Sequence, residues 1–445
     1  MRLLIGIDDV DSPRGMCTTY AGALIAEALR GVKGLSFLDY PFLIRLNPNI
    51  PFKTRGNGAV AFYLEVPERH CDYLKETLVG IIERALIKSR RKPEPVIVFY
   101  KGVSDKLRRF YEKALTSMVT LSYAERLANE LGVEYYALGS GKRGLIGALA
   151  AIGAIPLKEY TFELLLYRNP SERGRRAINS EWILDIDRKY RDYVFANFDF
   201  SSKRLLAVPH GPDPVLVGIR SINPLILDEV RIFLTAKCRD VERWIIYKTN
   251  QGTGVHLKRS LKIAAVKPYD SCTISGVVSS NPSILKGGHV KIKVRDDSGE
   301  IECVFYKETG FLNRVARLLK RGDKVVVGGG IRPASSRHGL TLNVEVLRVL
   351  ETVKIRKRYN PRCPRCKHRM KSAGKNKGYK CPKCGFKSKN VRKEVVVEDR
   401  ILEPGVYLPS PIAYRHLSKP KRLIGWESAV NYLSLNTVGR TAVVC

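Results

Sequence analysis

The sequence is poor in acidic residues and in glutamine. Aspartate and glutamate number 43 against 78 lysines and arginines, so the formal charge is +35 over 445 residues. An excess of this size favours a polyanionic partner, with nucleic acid as the first candidate and an anionic membrane surface as the second. Gln251 is the single glutamine. This scarcity favours a heat-adapted source.

Long apolar runs and targeting patterns are also missing. No run approaches the roughly 20 residues that span a bilayer, and the first residues lack the basic and then apolar pattern of a secretion signal. We therefore expect a cytoplasmic protein with no membrane partner and no obligate protein partner. No fixed-period repeat occurs in the chain. Because 445 residues are too many for one core of ordinary size, three or four domains are expected.

Four of the ten cysteines have the spacing of metal ligands. They form CPRC at 363–366 and CPKC at 381–384, and each short turn directs two thiolates at one ion. Cys363, Cys366, Cys381 and Cys384 therefore predict a structural Zn(II) site in a zinc ribbon. Residues 351–400 hold 18 lysines and arginines against 4 acids, which predicts contact with phosphate. The other cysteines are scattered, as reduced packing residues usually are.

The region from 272 to about 350 has a different rhythm. Short alternating strands such as HVKIKVRDDSGEIECVFY are interrupted by one helix, FLNRVARLLKRG, between the third and fourth strands. This order predicts an OB-fold barrel. Phe305, Tyr306 and Arg295 are candidates for stacking on, and neutralising, single-stranded nucleic acid. Such barrels also bind proteins, so the fold alone does not identify the ligand.

The N-terminal stretch crowds acidic and hydroxyl residues together. LLIGI at 3–7 predicts a buried strand, and the strands and helices that follow predict an α/β or α+β sheet domain. Asp8, Asp9 and Asp11 lie after that strand, where carboxylates can hold Mg(II). Thr18 and Thr19 begin the next helix, where a phosphoryl group is favoured. The pattern fits equally well an Asx turn followed by a threonine N-cap.

Three further loops contain candidate ligands. GSGKRGLIGA at 139–148 combines glycines and cations at a helix start, where backbone amides can bind an anion, although it is not a Walker A motif. PFKTRGNGAVAF at 51–62 adds cations, and PHGPDPVLVGIR at 209–220 adds a histidine and an acid. Each loop could instead serve only as packing or as ordinary surface. The candidates are Gly139, Gly141, Lys142, Arg143, Gly144, Lys53, Arg55, His210 and Asp213.

Long motifs in the chain resemble the archaeal isoleucine-tRNA agmatinylcytidine synthetase family. They are GIDD-x-DS-x-RGMCTTY at 6–20, RLNP-x-IPFKTRGNGAV at 45–60, the GLIGALAAIGA helix and HGPDPVLVGIR, followed by the barrel and the ribbon. The match covers most of the chain in the family's domain order. Val10 departs from it, because the family pattern has threonine there.

The resemblance implies a multidomain α+β fold. A kinase-like α/β domain is expected over 1–125, extending at most to about 200, and a ferredoxin-like domain over 126–265. An OB-fold over 270–352, a zinc ribbon over 355–395 and a tRNA-binding extension over 396–445 would follow.

The resemblance also implies an activity. The family attaches agmatine to carbon 2 of the wobble cytidine of isoleucine tRNA, which allows AUA decoding. ATP is used twice over: its γ-phosphate activates the cytidine carbonyl oxygen, and the nucleotide ends as AMP with release of pyrophosphate. Agmatine then displaces the phosphate from the cytidine. The implied partners are therefore isoleucine tRNA and agmatine, and the cofactors are ATP, Mg(II) and Zn(II). The alternative is a non-catalytic OB-fold and zinc-ribbon protein that binds single strands.

Site roles combine this resemblance with the chemistry of the candidate residues. Thr18 matches the threonine on which family members phosphorylate themselves, and Asp8 and Asp11 are expected to hold Mg(II). Because agmatine is a dication, carboxylates should bind it. The expected catalytic residues are Asp8, Asp9, Asp11, Thr18 and Asp213. The expected ATP ligands are Thr19, Lys53, Arg55, Gly139, Gly141, Lys142, Arg143 and Gly144. The expected substrate ligands are His210, Asp185, Asp187, Phe305, Tyr306 and Arg295. Asp199 and Asp213 are further acids available for agmatine in the same region.

Overall fold

The structure is a computed structural model that describes residues 1–11, 16–87, 93–172, 174–336 and 338–425. The side chain of Arg55, one of the expected ATP ligands, lies outside the described part, as do residues 426–445 of the expected C-terminal extension. Within the described ranges, every helix is too short or too polar to cross a bilayer.

The first 250 residues form a mixed sheet with helices packed against it. The strands are β1 (Arg2–Asp8), β2 (Ser36–Phe37), β3 (Phe42–Arg45), β4 (Gly58–Glu65), β5 (Val96–Lys101), β6 (Glu134–Ala137), β7 (Thr161–Tyr167), β8 (Phe198–Asp199), β9 (Arg204–Leu205), β10 (Val215–Ser221) and β11 (Arg243–Thr249). The helices are α1 (Thr18–Arg30), α2 (Cys71–Ile87), α3 (Asp105–Thr116), α4 (Leu121–Leu131), α5 (Gly144–Gly153), α6 (Ser180–Lys189) and α7 (Pro224–Lys237).

One continuous sheet connects the two halves of this region. Its order is β10-β7-β11-β3-β4-β1-β5-β6, with β2 on β4, while β8 and β9 form a separate hairpin. The halves join where β3 and β11 pair in parallel, with Lys248 opposite Phe42 and Thr249 opposite Leu43. The other pairings in this sheet are antiparallel. Both halves therefore share one continuous hydrogen-bonded sheet.

Small residues bring α5 close to the centre of the sheet. Its sequence GLIGALAAIG is almost entirely buried, and a Cβ on Gly6 of β1 would overlap the backbone oxygen of Ala148. Only a strand and a helix with minimal side chains can approach this closely. The approach places the start of α5 directly behind the end of β1.

The following region is the expected closed barrel. Its strands are β12 (Ser271–Val278), β13 (Ser283–Ile284), β14 (Val290–Arg295), β15 (Glu300–Phe305), β16 (Lys324–Arg332) and β17 (Thr341–Glu351), with α8 (Phe311–Ala316) between β15 and β16. Pairing runs β12-β16-β17-β15-β14, and β14 pairs back to β12. The alternating side chains fill the interior, which is typical of an OB-fold.

The last described region comprises the ribbon and a segment that returns to the sheet. The strands are β18 (Ile355–Tyr359), β19 (Lys371–Ser372), β20 (Tyr379–Lys380), β21 (Lys387–Ser388), β22 (Glu394–Glu398) and β23 (Gly405–Tyr407). Beyond β23, residues 408–425 pack against the α/β region. Gly252 N donates to His416 O at 2.9 Å, and Gly254 N donates to Leu417 O at 2.8 Å. We name residues 408–425 the returning segment.

Candidate functional site

The end of β1 separates the three N-terminal aspartates. Asp9 has φ +63°, a left-handed conformation that aspartate adopts more readily than most residues. Asp8 and Asp9 consequently line a small cleft of about 80 Å³, together with Lys53 and Arg143. Asp11 instead lines a larger cavity of about 450 Å³. We name these the acidic cleft and the central cavity.

Arg143 and Asp9 form the main ion pair of the acidic cleft. Arg143 donates to Asp9 Oδ2 from Nε at 3.0 Å and from Nη2 at 2.8 Å. Glu94 N also donates to this oxygen, at 3.3 Å. Burial raises the pKa of Asp9, and the charge of Arg143 opposes that rise. Arg143 thus favours the ionised form of a carboxyl group that burial alone would protonate.

Asp8 is more exposed than Asp9 and has fewer hydrogen-bond partners. Burial, followed by the charge of Asp9, raises the pKa of Asp8 well above its ordinary value. The Oδ1 atoms of Asp8 and Asp9 are both buried without a hydrogen-bond partner among the described residues. A Cβ on Gly147 would overlap the Asp8 carboxylate. Glycine at position 147 therefore leaves room for this carboxylate. Two buried carboxylate oxygens without hydrogen-bond partners fit a hard divalent cation.

Thr18 and Asp11 meet in the central cavity. Thr18 Oγ1 donates to Asp11 Oδ2 at 2.9 Å and accepts from Val10 N at 3.3 Å. Thr18 is the first residue of α1, and its N-cap, Cys17, makes no side-chain cap bond. Cys17, and not a threonine, therefore occupies the N-cap position that the sequence analysis had considered for threonine. Since position 10 contributes a backbone N–H and a buried side chain, valine can replace threonine without loss of this contact.

Buried charges line the wall of the central cavity. Glu163, which is 2% exposed, contacts Arg45 at 3.8 Å and Arg220 at 3.2 Å. His210 and Asp213 line the same cavity, so the structure brings both together with Asp11 and Thr18. Thr19 also lines this cavity. Anionic and cationic groups therefore face each other across one space.

Asp213 is held by a residue that the sequence analysis did not select. Arg176 contacts Asp213 Oδ1 at 3.3 Å, and its Nη2 also donates to the backbone oxygens of Gly211 and Asp213 at 2.8 Å. The Arg176 side chain is 7% exposed. Its guanidinium fixes the conformation of the proline-rich turn.

A third cavity, of about 510 Å³, adjoins the central one. Arg45, Gly56, Arg220, Ile412 and His416 line both. We name it the C-terminal cavity, because residues 411–420 of the returning segment supply much of its wall. Lys53 lies between this cavity and the acidic cleft. The three cavities therefore surround the loop between β3 and β4.

The structure places several expected ligands outside these cavities. The exposed Lys142 pairs with Glu125 at 3.0 Å, and Gly139 and Gly141 pack against residues 93–95. Gly144 lies against the backbone oxygen of Asp8, behind the acidic cleft. Of the candidate ATP ligands in the glycine-rich loop, Arg143 is the one that lines the cleft. The loop mainly packs α5 against β1 and β5.

The carboxylates expected to bind agmatine are also dispersed. Asp185 is exposed and contacts Arg188, in the same helix, at 3.7 Å. Asp187 accepts from Asn197 Nδ2 at 3.1 Å, and burial raises its pKa. Asp199 accepts from the hydroxyls of Ser201 and Ser202 at 2.7 Å each. These three lie outside the residues that line the central cavity, whereas Asp213 lies within them.

Of the two aromatic residues expected to stack on bases, Phe305 does not fit that role. Phe305 is fully buried in the barrel core, so its ring cannot stack on a base. It is the last residue of β15 and occupies an inward position of the alternating pattern. Tyr306 is only partly buried; its hydroxyl donates to Asn343 Oδ1 at 3.3 Å. Arg295 is exposed at the end of β14.

The four predicted zinc ligands converge. The Sγ atoms of Cys363, Cys366, Cys381 and Cys384 all lie within 4.8 Å of one another. Sγ–Sγ separations of 3.5 Å and 3.4 Å join the two pairs of turns. In the part of the chain that the structure describes, this is the one group of at least three potential ligands that lie so close together. Four thiolates without an open position fit a structural Zn(II).

Arg45, Glu163, Arg176 and His416 are the residues that sequence reasoning missed. Glu163 had a visible signal, since it is one acid within the otherwise apolar strand TFELLLY. Arg45 lies inside a motif that resembles the family. No local sequence pattern pointed to His416, because its hydrogen-bond partner, Gln251, is 165 residues away in the sequence.

Family models match nearly the whole chain. The TiaS TCKD domain matches residues 4–140, and the TiaS FLD domain matches 142–256. An OB-fold nucleic acid binding domain matches 272–350, and the TiaS C-terminal zinc ribbon domain matches 360–402. The four segments follow one another in the order that the sequence predicted.

Full-length relatives and solved structures agree with the models. TiaS of Thermofilum pendens, an isoleucine-tRNA 2-agmatinylcytidine synthetase, is 47% identical over 428 residues, which are 95% of each chain. TiaS of Pyrococcus horikoshii is 39% identical over 94% of this chain and 97% of the other. A crystal structure of TiaS with isoleucine tRNA and ATP superposes with a TM-score of 0.80 at 34% identity, and one with isoleucine tRNA, AMPCPP and agmatine with 0.78 at 31%; each covers 100% of both chains. This chain belongs to the TiaS family.

Proposed function

We propose that this chain attaches agmatine to carbon 2 of the wobble cytidine of isoleucine tRNA at the expense of ATP. The similarity of the whole chain to TiaS proteins, including one crystallised with isoleucine tRNA, a nucleotide and agmatine, is the observation that carries the proposal. The chain's own features support it: a +35 charge, an OB-fold, a four-cysteine ribbon and connected polar cavities. These cavities disfavour the non-catalytic alternative, which requires only the barrel and the ribbon.

Asp11 is the proposed proton acceptor for Thr18. The 2.9 Å hydrogen bond aims the hydroxyl proton at Asp11 Oδ2, while Val10 N holds the oxygen from the other side. The oxygen is therefore oriented, and its proton has a place to go when Thr18 attacks a phosphoryl group. Phosphorylation of Thr18 itself is part of the proposal.

Asp8 and Asp9 are the proposed ligands for Mg(II). Both residues line the acidic cleft and each has a buried oxygen without a hydrogen-bond partner, while Arg143 and Lys53, which line the same cleft, add positive charge for phosphates. When bound, Mg(II) neutralises the charge that develops on phosphate oxygens. Because Asp11 lines the other cavity and is bonded to Thr18, we assign it to proton transfer instead of to the expected metal site.

The proposal is tested by incubating the protein with isoleucine tRNA, ATP and agmatine, followed by nuclease digestion and mass spectrometry. We expect an agmatine adduct confined to the wobble nucleotide, and AMP in the supernatant. Omitting ATP or agmatine should remove the adduct. The variant Asp11→Asn should lose the adduct and phosphorylation of Thr18 while binding tRNA normally. Tight tRNA binding by the wild type, with neither adduct nor AMP, would establish the non-catalytic alternative.

A further inference from the structure

Three side chains joined by hydrogen bonds connect β7 to the returning segment. Gln251 is completely buried. Its Nε2 donates to the Glu163 carboxylate, and its Oε1 lies 2.8 Å from His416 Nδ1. The only glutamine of the protein therefore stands between a carboxylate and an imidazole.

This chain of contacts determines the tautomer of His416. A carboxylate only accepts hydrogen bonds, so the amide of Gln251 must point its NH₂ group at Glu163 and its oxygen at His416. That oxygen requires a proton on Nδ1, and a neutral imidazole then carries a lone pair on Nε2. Backbone bonds from Gly252 and Gly254 hold the returning segment at this position.

The unprotonated nitrogen is available to a ligand. Nε2 has no hydrogen-bond partner in the described ranges and lies beside Gly56, whose added Cβ would be 3.2 Å away. His416 is exposed and lines both the central and the C-terminal cavities. Together these cavities are large enough for a nucleotide.

The surroundings of His416 are cationic. The charge of Arg45, followed by burial and the charges of Arg220 and Lys53, lowers the pKa of His416 well below its ordinary value. The ring therefore remains a neutral acceptor at neutral pH. Glu163 pairs with Arg45 and Arg220 and offsets one of these three positive charges. The remaining positive excess favours the phosphates on either side of an extruded nucleotide over a cationic amine.

We propose that His416 Nε2 accepts a hydrogen bond from the exocyclic amino group of the target cytosine, and that Glu163 and Gln251 hold it in the accepting tautomer. The inference rests on the proposed function and identifies the part of the substrate that this cavity reads. A cytosine presents an amino donor at carbon 4, whereas a uracil presents an oxygen acceptor there. A fixed acceptor in the cavity thus discriminates between the two bases at a ring position remote from the reacting carbon 2.

The test combines a protein change with a base change. The variant His416→Asn keeps an N–H near the position of Nδ1 but removes Nε2. Each enzyme is assayed with two isoleucine tRNAs, one with cytidine at the wobble position and one with the 4-deamino base 2-pyrimidinone. Deleting the amino group should lower kcat/KM of the wild type about five- to tenfold more than that of His416→Asn. Intrinsic reactivity of the altered base affects both enzymes equally and cancels.

Two further variants serve as controls. His416→Gln offers an amide oxygen near the position of Nε2 and should regain part of the sensitivity to the amino group. His70→Ala, in a surface turn beside Arg69, should behave as the wild type does. The same combination of protein change and base change, which we call the binding cycle, is repeated by measuring equilibrium binding of anticodon stem–loops that contain either base. This measurement needs no catalysis, so it tests the contact even in an inactive variant.

The inference would be overturned if the change of residue 416 and the change of the base acted independently of each other. If removal of the amino group costs the wild type and His416→Asn the same factor, in rate and in binding, His416 does not contact that group. A raised KM for agmatine without any coupling to the base would instead assign His416 to the amine. Absence of any adduct with the wild type and cytidine tRNA would refute the proposed function, and the binding cycle would still decide the contact.

Discussion

The four-cysteine ribbon and the acidic cleft, the two regions to which we assign metal ions, are built in opposite ways. The four zinc ligands lie within 22 consecutive residues, and two tight turns bring their Sγ atoms within 4.8 Å of one another. The acidic cleft instead combines Asp8 and Asp9 with Lys53, Arg143 and Gly147, which come from separate segments of the chain. Spacing therefore predicts that the four cysteines share one ion, whereas only the folded chain shows which of the candidate acids and cations share one cleft.

The comparison predicts that small changes in the acidic cleft have large effects on activity. We expect Asp8→Asn to lower ATP-dependent modification by about 10³-fold, because the substitution removes a carboxylate that we propose as a Mg(II) ligand and that has a buried oxygen without a partner. Binding of tRNA, measured by filter binding, should be nearly unchanged. Asp72→Asn, at the exposed start of α2, is the control. Full activity of Asp8→Asn would show that the cleft does not act on the nucleotide.

Changes in the packing of α5 behind the acidic cleft should reduce activity almost as much as Asp8→Asn does. In Gly147→Ala, the added Cβ would overlap the Asp8 carboxylate and displace it. A displacement of about 1 Å can cost about 10²-fold in rate, which a single-turnover assay would measure. Gly31→Ala introduces a Cβ that meets only Ala28 O at 3.5 Å and should retain activity. If both variants are equally active, the close approach of α5 is irrelevant to chemistry.

Arg143 provides a test with a pH signature. Burial raises the pKa of Asp9 and Arg143 opposes the rise, so Arg143→Gln should raise that pKa further. The ionised carboxylate is lost as the pH falls through its pKa, and the acid limb of the rate profile should therefore move to higher pH. At neutral pH we expect a loss of about tenfold. Lys106→Gln, which removes an exposed cation paired with Glu130, should leave the profile in place.

The zinc ribbon should show the smallest and most local effect. Cys381→Ser, or removal of zinc by a chelator, should unfold the ribbon but leave the sheet and the barrel intact. We expect about fivefold weaker tRNA binding, with a shallower salt dependence because cationic contacts are lost. Phosphorylation of Thr18 should persist. Loss of that phosphorylation would show that the two regions are coupled.

Much of the architecture could be predicted from the chain. Alternating strands around one helix predicted the barrel, and two Cys-x-x-Cys turns predicted the ribbon, because both signals depend on residues close in sequence. The same reasoning was wrong for Phe305, whose inward direction depends on the register of β15 in the closed barrel. It also selected Lys142, which pairs with Glu125 of α4.

The sequence by itself determined the elements, their order and the residue types that this family's chemistry requires. Only the tertiary structure decided which aspartates share a cavity, since a left-handed turn at Asp9 directs Asp8 and Asp11 into different spaces. It also decided that His416 returns to meet Gln251 and Glu163. Local conformation follows from neighbouring residues, but contacts between residues far apart in sequence follow from packing of the whole chain.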